Sequence, residues 1–344
     1  MSDISQVIKV LCADSRTGIG PESTISPALM RGAFAAILDG GSSDLETGAL
    51  MAAAAAVESS KAGMRYAELV LGLHDAIHER MVSLEIDDRV DSMVVLPNYG
   101  EEARTGSLPL LALLLRRLGI RVLIHGAIET YGGLLNCGVL REFDVLPATT
   151  RSQAQKQLLE GGIALVPATL FSPGLAAMLS LRNRLGISTP AHFLASLLMP
   201  IADPPRSVLH LLQAPGWLSP GLESESLLRE AKVLLLVSSP TREAYEDCRP
   251  KIAFRDGAPS LGWQVLFEEE RAHTKATAYT ESMPAPGDSR AWAAWTRKQL
   301  AGKSAPPAPM VNLLASCLFA CGYAADLNQG KAIAAVETNG LAAA

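Results

Sequence analysis

Two places in this sequence carry residues suited to holding a phosphate or moving a proton. The first is Pro97-Asn98-Tyr99-Gly100-Glu101-Glu102-Ala103-Arg104-Thr105-Gly106-Ser107, between the apolar run Met93–Leu96 and a helical stretch from about Ser107 to Leu118. In a strand–loop–helix, ligands sit at the carboxyl end of the strand, and the helix N-terminus offers unpaired N–H groups to an anion. Asn98, Arg104, Thr105 and Ser107 add side-chain donors, Gly100 lets backbone approach closely, and Glu101 and Glu102 would repel phosphate. The second place is His125-Gly126, which ends the next apolar run and so falls on the same sheet edge. An ordinary βα loop fits the first place equally well. A lone histidine is more often a satisfied core or rim residue than a catalyst, so His125 gains weight only from lying beside that loop.

Cations form the next signal. The net charge is −5, but residues 1–90 hold seven Lys/Arg against thirteen Asp/Glu, a balance of −6, so the remainder sums to +1. Three stretches contain no acid: 103–128 with Arg104, Arg116, Arg117 and Arg121; 161–202 with Arg182 and Arg184; and 289–325 with Arg290, Arg297, Lys298 and Lys303. Such groups suit a phosphodiester backbone, and they suit an ordinary solvated face as well. Trp292 and Trp295 accompany the last group, where an exposed ring would stack a base and a buried one would fill the core. His74 and His78 stand four apart on a helical stretch without a third ligand, and no metal site is assigned to them. Cys317 and Cys321, also four apart, lie in an apolar helix and read as buried thiols.

The elements that must position these groups change character along the chain. Up to residue 90 the pattern is helical. Ser26-Pro27 caps and starts a helix to Leu38, Ser43–Glu46 matches a capping box, and a third helix runs from about Gly63 to Met81. Beyond residue 90 the short apolar runs Met93–Leu96, Arg121–His125, Ile163–Pro167, Val208–Leu212 and Val233–Val237 alternate with helical segments, which implies a largely parallel sheet covered by helices. Asp288 caps a helix to about Leu300, and a further apolar helix ends at Cys321.

With 344 residues, 49% hydrophobic and 19% charged, the chain can bury a large core in two domains. No apolar run reaches the ~18 residues that cross a bilayer. No basic, apolar leader opens the chain, and five cysteines without CxxC spacing give neither a disulfide framework nor a zinc ribbon. A cytoplasmic protein without a membrane partner is expected.

Three segments resemble the anthranilate phosphoribosyltransferase-like family (glycosyltransferase family 3): Pro109–Gly119 with Val122-Leu123-Ile124-His125-Gly126, then Ser180–Ser188, then Leu198-Met199-Pro200. The helical opening, with Ile37-Leu38-Asp39-Gly40 and Ser43–Gly48, resembles that family's N-terminal domain. The resemblance spans about residues 20–320 and points to the divergent branch that includes the DNA-binding protein YbiB. It implies an α/β fold of the nucleoside phosphorylase/phosphoribosyltransferase type. A small helical domain over 1–90, completed by helices near 172–200, would form a homodimer, and 91–344 would form the α/β domain.

The same resemblance sets what the site should contain. The family's Gly-Thr-Gly-Gly-Asp cradle corresponds to Leu96-Pro97-Asn98-Tyr99, without its glycines. Its Lys-His-Gly-Asn-Arg motif corresponds to Ile124-His125-Gly126-Ala127-Ile128. The Asp-Glu pair that holds Mg²⁺ is expected after Val233–Val237, where Glu246-Asp247 lie too far along. The implied protein is a non-catalytic relative with a residual pocket at Asn98, Gly100, Arg104, Thr105, Ser107, His125, Gly126 and Arg184. It has no catalytic residue, no cofactor and no metal, and it binds DNA or RNA backbone through Arg116, Arg117, Arg121, Arg182, Arg290, Arg297, Lys298 and Lys303. The alternative is an active glycosyl or phosphoribosyl transferase with altered phosphate contacts and Mg²⁺. A third reading is a dimeric scaffold that binds a protein partner through the acidic helical domain.

Overall fold

Ser26 and Pro27 start a helix for separate reasons, and the computed structural model contains both. The Ser26 hydroxyl accepts the Leu29 amide at 3.2 Å, and Pro27 sits where a missing N–H costs nothing. The structure describes residues 3–17, 26–60, 63–87, 90, 92–99, 107–128, 131–186, 189–202, 208–215, 232–238, 251–257, 262–268, 283–285 and 287–339.

In chain order, helices α1 (Asp3–Thr17), α2 (Pro27–Leu38), α3 (Asp44–Ser60) and α4 (Gly63–His78) come first. Then follow β1 (Met93–Asn98), α5 (Ser107–Arg117), β2 (Arg121–Gly126), α6 (Tyr131–Arg141), α7 (Arg151–Lys156) and β3 (Ile163–Pro167). Helices α8 (Pro173–Leu185) and α9 (Pro190–Leu197) precede β4 (Val208–Pro215), β5 (Lys232–Ser238), β6 (Lys251–Arg255) and β7 (Gln264–Glu268). Three helices follow: α10 (Ser289–Leu300), α11 (Ala308–Ala320) and α12 (Leu327–Thr338). The chain divides into two units, one of Met1–Ser83 with Pro167–Pro200, the other of Leu84–Val166 with Ile201–Ala344.

The first unit is helical. Its capping box is closed in both directions: the Glu46 amide donates to the Ser43 hydroxyl, and the Ser43 amide donates to the Glu46 carboxylate. Helix α2 buries Met30, Ala33, Phe34, Ile37 and Leu38 on one face. Gly174, in the first turn of α8, meets the end of α2 so closely that a Cβ there would lie 2.1 Å from the Leu38 carbonyl oxygen. Asp39, next along, accepts both prongs of the Arg80 guanidinium at 2.7 and 2.8 Å. That hydrogen bonding holds its carboxyl below the usual range.

The second unit is built on a seven-stranded sheet in the order β3-β2-β1-β4-β5-β6-β7. Strands β1, β2, β4 and β5 pair in parallel, while β6 and β7 add an antiparallel edge. Val94, Leu96, Ile124, Leu209, Leu211 and Leu234 line one face, on which α5, α6, α10 and α11 pack their Leu, Val and Trp side chains. The five apolar runs visible in the sequence are β1 to β5. Strands β6 and β7, each five residues with a charge at one or both ends, are additions that apolar run-length does not find.

Candidate functional site

The chain order turns back at β1, which has β2 on one side and β4 on the other. In an open α/β sheet such a switch point, at the carboxyl ends of the strands, is where ligands bind. The register places His125 beside Pro97, Gly126 beside Asn98, and His210 beside Val95. Because side chains alternate across a strand, His125 and His210 share one face, while Asn98 and Gly126 lie on the other.

This edge is closed. Asn98, Tyr99, His125, Asn136 and His210 are each no more than 2% exposed. The Tyr99 phenol, just past the end of β1, is 3.0 Å from His125 Nδ1, and the two rings meet edge to face. Burial pushes the Tyr99 hydroxyl well above its ordinary range. It also drives His125 well below its own, with His210, whose ring centre is 6.3 Å away, adding a second push. The bond therefore joins a neutral phenol to a neutral imidazole. On the other face, α6 reaches in with Asn136, whose Nδ2 donates to Asn98 Oδ1 at 2.9 Å. Among the described residues, Asn98 Nδ2 and Asn136 Oδ1 have no hydrogen-bond partner.

Of the expected pocket residues, the fold brings Asn98, His125 and Gly126 together here. Ser107 stands half-buried at the start of α5. Gly100, Arg104 and Thr105, with Glu101 and Glu102, lie outside the described residues. Arg184 belongs to the helical unit, at the end of α8, where it pairs with Asp44 at 3.3 Å. The amides, the His125 imidazole and the Tyr99 phenol of the closed edge carry no charge with which to neutralise a diphosphate. The segment after β5, with Glu246-Asp247, also lies outside the described residues, so the described groups offer Mg²⁺ no carboxylate at this edge. Tyr99 is the residue that sequence reasoning passed over. Its signal was the one large side chain inside the run aligned with a glycine cradle.

The cations fall into different settings. Arg117 donates to the Leu300 carbonyl at 3.0 Å and to the Glu337 carbonyl, and its guanidinium also pairs with the Glu337 carboxylate at 2.5 Å. It thereby caps the C-termini of α10 and α12, where the helix dipoles favour a cation. Arg117→Ala is expected to cost about 2 kcal/mol, the scale of a charged hydrogen bond. A urea midpoint unchanged from wild type would contradict that role. Arg116 packs its stem over Gly162, and Arg121 opens β2 half-buried. Arg182 lies half-buried on α8 beside His192, whose imidazole is lowered to about 4, mainly by burial and further by that guanidinium.

Helix α10 holds the rest. Its sequence, SRAWAAWTRKQL, has no carboxylate. Trp292 and Trp295 turn inward as an edge-to-face pair 5.4 Å apart, so neither is available to stack a base. Of the two readings of these rings, the structure shows the core-filling one: both lie on the stripe that packs against α5 and α6. Arg290, Arg297 and Lys298 lie exposed on the opposite side, with Lys303 exposed just beyond the helix end. Arg297 Nη2 donates to the Glu142 carboxylate at 2.9 Å and to its carbonyl at 3.0 Å, and the guanidinium lies over the Phe143 ring.

The remaining pairs are simpler. His74, buried, and His78, exposed, stack with ring centres 6.0 Å apart on α4. Among the described residues no group of three or more His, Cys, Asp or Glu stands close enough to hold a metal ion. Cys317, in α11, and Cys321, the residue that caps its C-terminus, are both buried, and burial raises both thiols. No helix among the described residues is long and apolar enough to cross a membrane.

This mainly parallel sheet with its helical unit is the fold of the anthranilate phosphoribosyltransferases. The enzyme from Thermus thermophilus superposes with a TM-score of 0.65 at 18% identity, over 98% of this chain and 94% of that one. The Saccharomyces cerevisiae enzyme in complex with PRPP and Mg gives 0.59 at 14%, over 96% and 94%. In sequence, the chain is similar to the uncharacterized protein YbiB of Escherichia coli (strain K12), 29% identical over 305 residues, 88% of this chain and 90% of that protein. The chain thus has the anthranilate phosphoribosyltransferase-like fold, and its sequence is similar to that of YbiB. No protein-family model matches the sequence.

Proposed function

We propose that this protein has given up phosphoribosyl transfer and binds nucleic acid through phosphate contacts, without reading sequence. The observation that carries the proposal is the outer face of α10, a helix with no carboxylate of its own that exposes Arg290, Arg297 and Lys298 and is followed by Lys303. Arg290 and Arg297 are seven residues apart, about 10.5 Å of helix rise. That spans about three steps of a duplex strand at 3.4 Å each. With Trp292 and Trp295 turned inward, this face offers charge rather than stacking. Loss of transfer is supported by the closed edge. A departing diphosphate needs a cation and free backbone N–H groups, and Tyr99 and His125 supply neither.

The test is fluorescence anisotropy with labelled random-sequence single-stranded and duplex DNA over a salt series. Wild type should bind with a log–log salt slope near −3, and Arg290→Gln with Lys298→Gln should flatten it by about 1.8, at ~0.9 per duplex contact. Absence of binding at low salt, or an unchanged slope in the double variant, would sink the proposal.

One observation favours a second reading, an active transferase with altered contacts: the buried Asn98 Nδ2 and Asn136 Oδ1, unpartnered among the described residues, which a polar ligand would satisfy. A rise in melting temperature with phosphoribosyl pyrophosphate and Mg²⁺ would support it. The helical unit is the proposed homodimer face, as the resemblance implies, and Leu45, 82% exposed at the start of α3, is the position that probes it. Sedimentation velocity of Leu45→Glu should then shift from dimer to monomer. A cytoplasmic location fits both readings.

A further inference from the structure

We infer that Glu142 is a built-in competitor for the phosphate site on α10, occupying Arg297 until a nucleic-acid phosphate displaces it. The inference rests on the nucleic-acid reading above and concerns the regulation of that same face. Helices α6 and α10 lie side by side. Gly138 of α6 is so close to Ser289 that a Cβ there would stand 2.8 Å from the serine Cβ. A few residues further along both segments, the Glu142 carboxylate meets Arg297. A carboxylate 2.9 Å from a guanidinium nitrogen makes the contact a phosphate oxygen would make.

The contact is also exchangeable. The side chains of Arg297 and Glu142 are 51% and 41% exposed, so the pair is screened by solvent and weak. Two further contacts keep the guanidinium oriented when the carboxylate leaves: the Glu142 carbonyl at 3.0 Å, and the Phe143 ring, whose centre is 5.2 Å from the guanidinium carbon. Arg290, Lys298 and Lys303 have no ion pair among the described residues, so Arg297 is the one cation of this face that a carboxylate holds. The other acid nearby, Asp288, directs its carboxylate to the Arg290 and Ala291 amides as the cap of α10.

The test is Glu142→Gln in the full chain, titrated with the same labelled duplex over salt. Glu160→Gln serves as a charge-matched control, because Glu160 pairs with Lys156 on a different helix. Glu142→Gln is expected to tighten binding at low salt roughly five- to tenfold, because the phosphate no longer has to displace a carboxylate from Arg297. Glu160→Gln should not, and the gain should vanish when Arg297→Gln is added. Equal affinities for wild type and Glu142→Gln would overturn the competitor role, as would the same gain from Glu160→Gln or a gain that survives Arg297→Gln. If wild type and Glu142→Gln both fail to bind at low salt, the nucleic-acid reading falls and the competitor role falls with it.

Discussion

Gly126→Ala is expected to destabilise the α/β unit by about 3 kcal/mol or more, the upper range for forcing atoms into a filled site. An added Cβ would stand 2.3 Å from the Asn98 carbonyl oxygen and 2.8 Å from the Asn98 Cβ. Neither can yield without moving β1 against β2, since Asn98 and Gly126 are partners in that register. With domain stabilities of only about 5–15 kcal/mol, such a loss should be plain in a urea titration. Gly119→Ala is the control. Gly119 has φ +81° but nothing within 4 Å of an added Cβ, so it should show only the left-handed strain of about 1–2 kcal/mol. Equal losses at the two positions would mean that the close approach of β1 and β2 is not what demands glycine.

Acid should unfold both units through buried imidazoles. His125, in the α/β unit, is driven well below the ordinary 6.5, and His192, in the helical unit, is lowered to about 4. Between those values and 6.5 the unfolded chain takes up protons that the folded chain refuses, so stability falls as pH falls. Each pH step costs about 1.4 kcal/mol per imidazole, so His192 alone removes about 3 kcal/mol between pH 6.5 and 4. Above pH 6.5 both groups are neutral in either state and contribute no slope. Urea midpoints over this range should decline steeply in wild type and less so in His192→Gln. A His192→Gln variant with the wild-type pH slope would rule out His192 as a source.

The sheet was readable where burial on both faces leaves an unbroken apolar run, as in Met93–Leu96 and Val233–Val237. It was unreadable in β6, where Arg255, 1% exposed, ends the strand looking like a surface residue. The β6–β7 pairing also carries an irregularity between Ile252 and Ala253 that breaks any alternation. His125 was legible at its strand end. Its partnership with Tyr99 was not, because ring-to-ring contact across 26 positions leaves no local trace. The cation groups show the same limit in electrostatic form. A window without acids says nothing about acids that folding delivers from afar, and Arg117 meets Glu337, Arg297 meets Glu142 and Arg184 meets Asp44 across 220, 155 and 140 positions.

The helical unit is interrupted in sequence, since Met1–Ser83 is joined by Pro167–Pro200 only after the intervening strands β1, β2 and β3. During synthesis its first four helices emerge without α8, whose Gly174 is fitted against the end of α2. At about 5–20 residues per second, residues 84–166 take roughly 4–17 s to pass the ribosome. For that interval the end of α2, where Gly174 will pack, is an uncovered surface in a nascent chain. A chaperone would meet this protein there, and a fragment cut at residue 83 would keep that surface uncovered for good.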